Sequence, residues 1–192
     1  MKKELLTHII FFVSFFLLIS LFRGWFEIGY VMFWFGGIVG TFLPDTDHLI
    51  YVYFLRPEEL TSQRTARMAG NRNYWEMIKL LFDTRGERRK LIFHSAFFQA
   101  IFVILSFLVV TSSGSLFGRG LVLAFFLHLL VDQFVDLTAT QDNSAMQSQE
   151  NVMNTNPLGV WFRGLGINPN KEKSLFYWLA LVFVFLIFGF FL

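Results

Sequence analysis

Polar and apolar residues in this chain fall into long blocks, and the apolar blocks set its elements. Five of them, at 5–22, 27–43, 91–110, 116–137 and 174–192, approach the roughly 20 residues that a helix needs to cross about 30 Å of hydrocarbon. The second is the shortest, as suits a tilted or partly re-entrant segment. Lys2 and Lys3 precede the first block as they would in a signal peptide, but no small-residue cleavage site follows and further spans do, so it reads as a span. Turns at 23–26 and 111–115 and two long polar connections, 55–90 and 138–173, join the blocks. In YWEMIKLLFD (74–83), Trp75, Ile78, Leu81 and Phe82 fall at helical spacing beside Lys79. That stripe predicts a helix that lies in the headgroup layer or packs on the other helices. The second connection contains QDNSAMQSQENVMNTNP, whose Asn, Gln and Ser predict a loop or lid. The pattern predicts an all-α, polytopic membrane bundle with about five membrane-embedded helices and an interfacial amphipathic helix. It forms one domain, with a core at 1–137, a polar loop at 138–173 and a C-terminal transmembrane helix at 174–192.

Composition agrees: 55% of residues are hydrophobic, 19% are aromatic and the mean hydropathy is +0.53, too apolar for a soluble domain of this size. The absence of cysteine excludes disulfides, thiolate nucleophiles and cysteine-bound zinc, which leaves His, Asp, Glu and backbone oxygens as metal donors. The net charge of +2 says little, but its distribution orients the chain. Placing the N-terminus in the cytoplasm puts Lys2, Lys3, the nine basic residues from Arg56 to Lys90, Arg163, Lys171 and Lys173 inside, and leaves only Arg23 and Arg119 outside. The positive-inside rule selects this orientation.

With that topology the four histidines, each from a different segment, fall at the cytoplasmic face. His8 opens the first span, His48 follows the second, His94 opens the third, and His128 lies in the returning half of the fourth. LPDTDH (43–48) adds Asp45 and Asp47 after Pro44, which ends the preceding helix and lets the chain turn. Asp132 follows His128 by four residues on the same helical face, a spacing suited to two ligands of one ion or to a ligand and its partner, and Asp136 extends that face. Ionisable groups at this depth are costly unless paired, and a divalent cation satisfies several carboxylates and neutral imidazoles together. The predicted ligand set is therefore His8, Asp45, Asp47, His48, His94, His128 and Asp132. Each has a plainer role when taken singly. Asp45 or Asp47 can N-cap a helix beginning near His48, His8 can be an interfacial residue, His94 can bond Ser95, and His128 can bond Asp132 within its helix. Gly36, Gly37 and Gly40 suit close helix packing. Ser95 lacks the third group of a hydrolytic triad, and no phosphate-binding loop, dinucleotide fingerprint or nucleic-acid module is present.

Taken together, LPDTDH, FHS (93–95) and HLLVD (128–132) resemble the YdjM family of membrane-bound, metal-dependent hydrolases of the inner membrane. That family's pattern is an early histidine, a G-x-LPD-x-DH element, a THS element opening a helix and a later H-L-x-x-D element. His8, Gly40 through His48, His94–Ser95, and His128 with Asp132 match it over about residues 8–137. The resemblance extends to zinc-dependent phospholipase C, a helical enzyme whose zinc ions take His and Asp ligands, including an H-x-x-x-D/E pair that His128 and Asp132 match. The chain departs from the pattern at Arg89 and Lys90, where a His-Arg pair is usual, and at Phe93, where Thr is usual.

These strands join in a phospholipase C-like phosphodiesterase that uses a metal-activated water at the cytoplasmic membrane surface, on a membrane lipid or lipid-linked substrate. Imidazole and carboxylate ligands suit Zn²⁺, and Mn²⁺ or Fe²⁺ would accept them. One of Asp45 and Asp47 is the expected general base and the other a ligand. Arg89 and Lys90, one turn before His94, are expected to hold an anionic headgroup, their plainer role being positive-inside anchoring. The rivals are a non-catalytic assembly or regulatory membrane protein with a structural metal site, and a metal transporter, against which stands the lack of a polar chain across the bilayer.

Overall fold

The computed structural model describes residues 2–88, 90–146, 161–162 and 170–192, and every regular element among them is helical. α1 (Lys2–Arg23) and α2 (Val31–Phe42) are joined by a turn in which Gly24 takes φ +65, a conformation that favours glycine. α2 stops before Pro44, which has no N–H to continue the ladder. Leu43 and Asp45 keep helical dihedrals, so the chain carries on into α3 (Thr46–Ile50) and a π-helical turn at Tyr51–Leu55. α4 (Leu60–Gly70), α5 (Tyr74–Asp83), α6 (Ala96–Ser112), α7 (Leu116–Met146) and α8 (Lys171–Phe191) complete the order.

This is a membrane protein built as an all-α bundle. Four helical stretches, Leu5–Arg23, Ile28–Leu55, Leu116–Thr138 and Lys171–Phe191, are long and apolar enough to cross a bilayer. The block at 91–110 becomes a helix only from Ala96, because Ser95 N-caps it by accepting a bond from the Phe98 amide. The resulting 17 residues rise about 25 Å, slightly less than the hydrocarbon thickness. The fourth block runs past its apolar end, and α7 continues through Met146 into the polar connection.

α7 is the axis of the bundle: 67% of its membrane span is buried, against 22 to 33% for the other three. Small residues let it lie close to α2. A Cβ on Gly36 would overlap the Phe117 carbonyl, one on Gly40 the Leu121 carbonyl, and one on Gly120 the Phe33 carbonyl. The glycines therefore seat two helices backbone to backbone, while Gly37 leaves room for the Phe12 and Phe16 rings of α1. Aromatic rings fill the rest of the core, with Phe16 stacked on Phe33 at 4.5 Å and Phe102 against Phe125 at 4.5 Å. At the end of the bundle away from the N-terminus, Arg23 donates to the Phe190 carbonyl at 2.5 Å, a cation at a helix C-terminus. At the N-terminal end, α5 turns Leu81 into the bundle and leaves Tyr74, Trp75 and Ile78 exposed, so its apolar stripe both packs and faces outward.

Gly36→Leu and Gly120→Leu should each cost about 3 kcal/mol or more, read as a lowered melting temperature in detergent, because each forces backbone away from backbone. Gly114→Ala, with open space around its Cβ, should change stability by less than about 0.5 kcal/mol. Equal melting of all three variants would refute close α2–α7 packing.

Candidate metal centre

At the N-terminal end of the bundle one carboxylate gathers three imidazoles. Asp132, on the inward face of α7, places Oδ1 3.1 Å from His8 Nε2 of α1. Its Oδ2 lies 2.9 Å from His94 Nε2, in the loop before α6, and 3.2 Å from His128 Nε2, one turn earlier on α7. The His8 and His128 rings lie 4.2 Å apart by centroid. Donor atoms of His8, His128 and Asp132 all lie within 4.8 Å of one another, and all three histidines are buried. His128 Nε2 comes near Asp132 without hydrogen-bond geometry, and its Nδ1 has no hydrogen-bond partner among the described residues.

Asp45 flanks this cluster at the α2–α3 junction, half-buried, with Oδ1 3.7 Å from His128 Nε2. Its side chain makes no cap to α3. A cavity of about 20 Å³ opens among His8, Asp45, Arg85, His128 and Asp132, with Leu5, Thr41, Phe42 and Phe82 completing the wall. That volume admits about one water or ion.

Asp47 lies elsewhere. It is fully buried, and its carboxylate accepts from the amides of Ile92 at 3.0 Å and Phe93 at 2.6 Å, and contacts His94 Nδ1 at 3.3 Å. It thus pins the loop that carries His94; with Nδ1 protonated, that ring donates to Asp47 and turns Nε2 toward Asp132. The same bonds hold the backbone before Ser95 out of α6. His48 is set apart too: its Nδ1 accepts from Arg88 Nε at 3.1 Å, and its ring stacks on His94 at 5.9 Å. Asp136 accepts from the indole N–H of Trp161 at 2.7 Å, and that indole lies 5.6 Å from His94.

Of the two residues expected to hold a headgroup, Lys90 is exposed and does not line the cavity, and Arg89 lies outside the described residues. Arg85 lines the cavity instead, from the turn that follows α5. Arg88 is buried, donating to His48, to Thr84 Oγ1 at 3.1 Å and to the Leu81 carbonyl. Burial lowers its pKa from the usual value, Glu87 opposes that shift, and an arginine so placed stays charged at neutral pH. In RGERRK, nothing in the residue order separates Arg85 and Arg88 from the neighbouring cations. Trp161 was equally unmarked within a connection read as loop.

No protein-family model, curated protein or solved structure matches this chain.

Asp47→Ala would leave two loop amides and one imidazole without their acceptor. The expected result is a loss of about 3 kcal/mol in stability and faster hydrogen exchange at the Ile92 and Phe93 amides, with the Phe185 amide in α8 much less affected. Unchanged exchange at Ile92 and Phe93 would refute the anchoring role.

Proposed function

We propose that this chain is a membrane-bound, metal-dependent hydrolase of phosphoric esters, a phospholipase C-like phosphodiesterase working at the cytoplasmic surface of the inner membrane. One observation carries the reading: His8, His94 and His128, from three separate segments, converge at 2.9 to 3.2 Å on the two oxygens of Asp132. Ligand atoms at about 2.0–2.1 Å from a tetrahedral ion lie about 3.3 Å from one another, so this spacing suits donors arranged around Zn²⁺, with Mn²⁺ or Fe²⁺ as alternatives. The imidazole contact without hydrogen-bond geometry at His128 fits the same arrangement.

His8, His128 and Asp132 would hold the ion, with His94 beside them kept in one tautomer by Asp47. When bound, the ion supplies Lewis-acid stabilisation of developing negative charge and lowers the pKa of a water. Asp45 is the proposed general base, because it stands on the cavity wall next to His128 and is not committed to loop amides as Asp47 is. The basic residues crowded at the N-terminal end support a cytoplasmic site. A second reading, a structural metal site in an assembly or regulatory protein, draws on the same convergence, since a shared ion would tie α1, α7 and the α6 loop together.

Elemental mass spectrometry on detergent-purified protein should find at least one equivalent of transition metal in the wild type. It should be lost from His128→Ala/Asp132→Ala, whose fold is checked by circular dichroism. Metal-loaded wild type should hydrolyse bis(p-nitrophenyl) phosphate. Asp45→Asn should keep its metal and lose about 10²- to 10⁴-fold in kcat, whereas Asp47→Asn should act mainly through stability. Unfolding on chelation, with no turnover of any ester by the loaded protein, would select the structural role. Metal-free protein after reconstitution with Zn²⁺ and Mn²⁺ would remove both readings.

A further inference from the structure

Between α6, α7 and α8 the bundle buries polar side chains that no neighbour satisfies. Gln99 of α6, Gln133 of α7 and Ser174 of α8 are 1%, 0% and 0% exposed. Gln99 Nε2, both amide atoms of Gln133 and Ser174 Oγ have no hydrogen-bond partner among the described residues. An amide or hydroxyl withdrawn from water without a partner destabilises a fold, and a bilayer around the helices supplies none.

Contacts on either side place these groups in one layer. Phe126 of α7 lies 6.4 Å from Phe102 of α6 and 5.5 Å from Phe185 of α8 by ring centroid. About one turn further along α7, the Leu130 carbonyl accepts from the Trp178 indole at 2.9 Å, so α7 and α8 run antiparallel. The next turn pairs Gln133 with Ser174. Gln133 follows Phe126 by seven residues and Ser174 precedes Phe185 by eleven, spacings that return each to the same face of its helix. Gln99 stands three residues before Phe102, and its Oε1 accepts from the Tyr177 hydroxyl of α8 at 2.9 Å, which brings α6 to the same level. The buried Phe162 ring packs on Tyr177 at 5.3 Å and adds to the cover.

We propose that α6, α7 and α8 enclose an internal water site, in which roughly one or two waters bridge Gln99, Gln133 and Ser174. The donor set identifies the ligand. Each glutamine Nε2 offers two N–H groups, Gln133 Oε1 accepts, and the Ser174 hydroxyl does either. Water gives and takes hydrogen bonds and makes about three of them at such sites. A cation would meet the N–H groups, and an anion would find no positive charge on any of the three side chains. The short Ser174 side chain provides the room beside two long amides. Through this water α8 is tied to α6 and α7 by hydrogen bonds at a depth where neither lipid nor bulk solvent can supply them.

The test is water-to-amide NOE and ROE spectroscopy on the full chain, labelled with ¹⁵N-glutamine, in detergent micelles, with side-chain signals assigned from Gln→Met variants. The side-chain amides of Gln99 and Gln133 should show cross-peaks to water with the relative signs of an immobilised molecule, despite their burial. Gln133→Met, close in volume but without the amide, should remove most of the Gln99 peak, and Ser174→Ala should weaken the peaks at both glutamines. Ser106→Ala is the control, since Ser106 is also fully buried and without a partner but lies two turns along α6 from Gln99; both peaks should persist there. A folded wild type with no water peak at either glutamine would overturn the site. Peaks that survive unchanged in both Gln133→Met and Ser174→Ala, or that disappear equally in Ser106→Ala, would overturn the shared bridge. Ser174→Ala, which removes one oxygen, keeps the test decisive if Gln133→Met does not fold.

Discussion

The Asp132 carboxylate is the group around which this end of the bundle is organised. A carboxylate taken out of water among packed helices costs several kcal/mol unless its surroundings compensate. Here three imidazoles close on it from α1, from α7 itself and from the loop before α6, those of His8, His128 and His94, with His128 approaching outside hydrogen-bond geometry. Three segments must therefore arrive at fixed depth and rotation. The small residues of α2 and α7 make that possible by bringing those helices into backbone contact and setting Asp45 beside His128. Asp47 does the equivalent for the loop, converting two backbone amides and one imidazole into a rigid mount.

Much of this architecture was legible in residue order because its signals are local. The membrane helices follow from block hydropathy, and α5 follows from its stripe at 74–83. The glycines at 36 and 40 announced a close approach, although not which helix would approach. His128 and Asp132 came from one helical spacing, and the convergence of His8 and His94 on the same face followed once charge had oriented the chain. The division of labour within LPDTDH was not legible. Asp45 and Asp47 are two residues apart with the same chemistry, and they differ only in what long-range folding sets opposite them: the cavity and His128 for one, the Ile92 and Phe93 amides for the other.

The same limit applies to the cations. Arg85, Arg88, Arg89 and Lys90 lie within six residues of sequence, and hydropathy and charge treat them alike. Tertiary structure separates three of them: Arg85 stands on the cavity wall, Arg88 is buried against His48, and Lys90 is exposed. A turn of 3-10 helix at Arg85–Glu87 sets this pattern, because three residues per turn rotates successive side chains differently from the α-helix that precedes it. Which of these cations lines the cavity is thus set by the turn and not by residue order.

The depth profile of α7 bears on what such a site can do. From His128 toward its start, α7 buries Leu127, Phe126, Phe125, Ala124, Leu123 and Val122 in succession, and Phe16 of α1 stacks on Phe33 of α2, whose backbone lies against Gly120. An ion held at Asp132 would meet two turns of hydrocarbon and stacked rings on the way to the far end, with no donor on that face of α7 to replace the ligands it leaves. A carrier needs a ladder of such donors. A hydrolase needs only one face open, a half-buried base at the rim and an anion-binding group across from it. Asp45 and Arg85 both line the cavity wall, and one open face of this kind is what the proposed hydrolase would use.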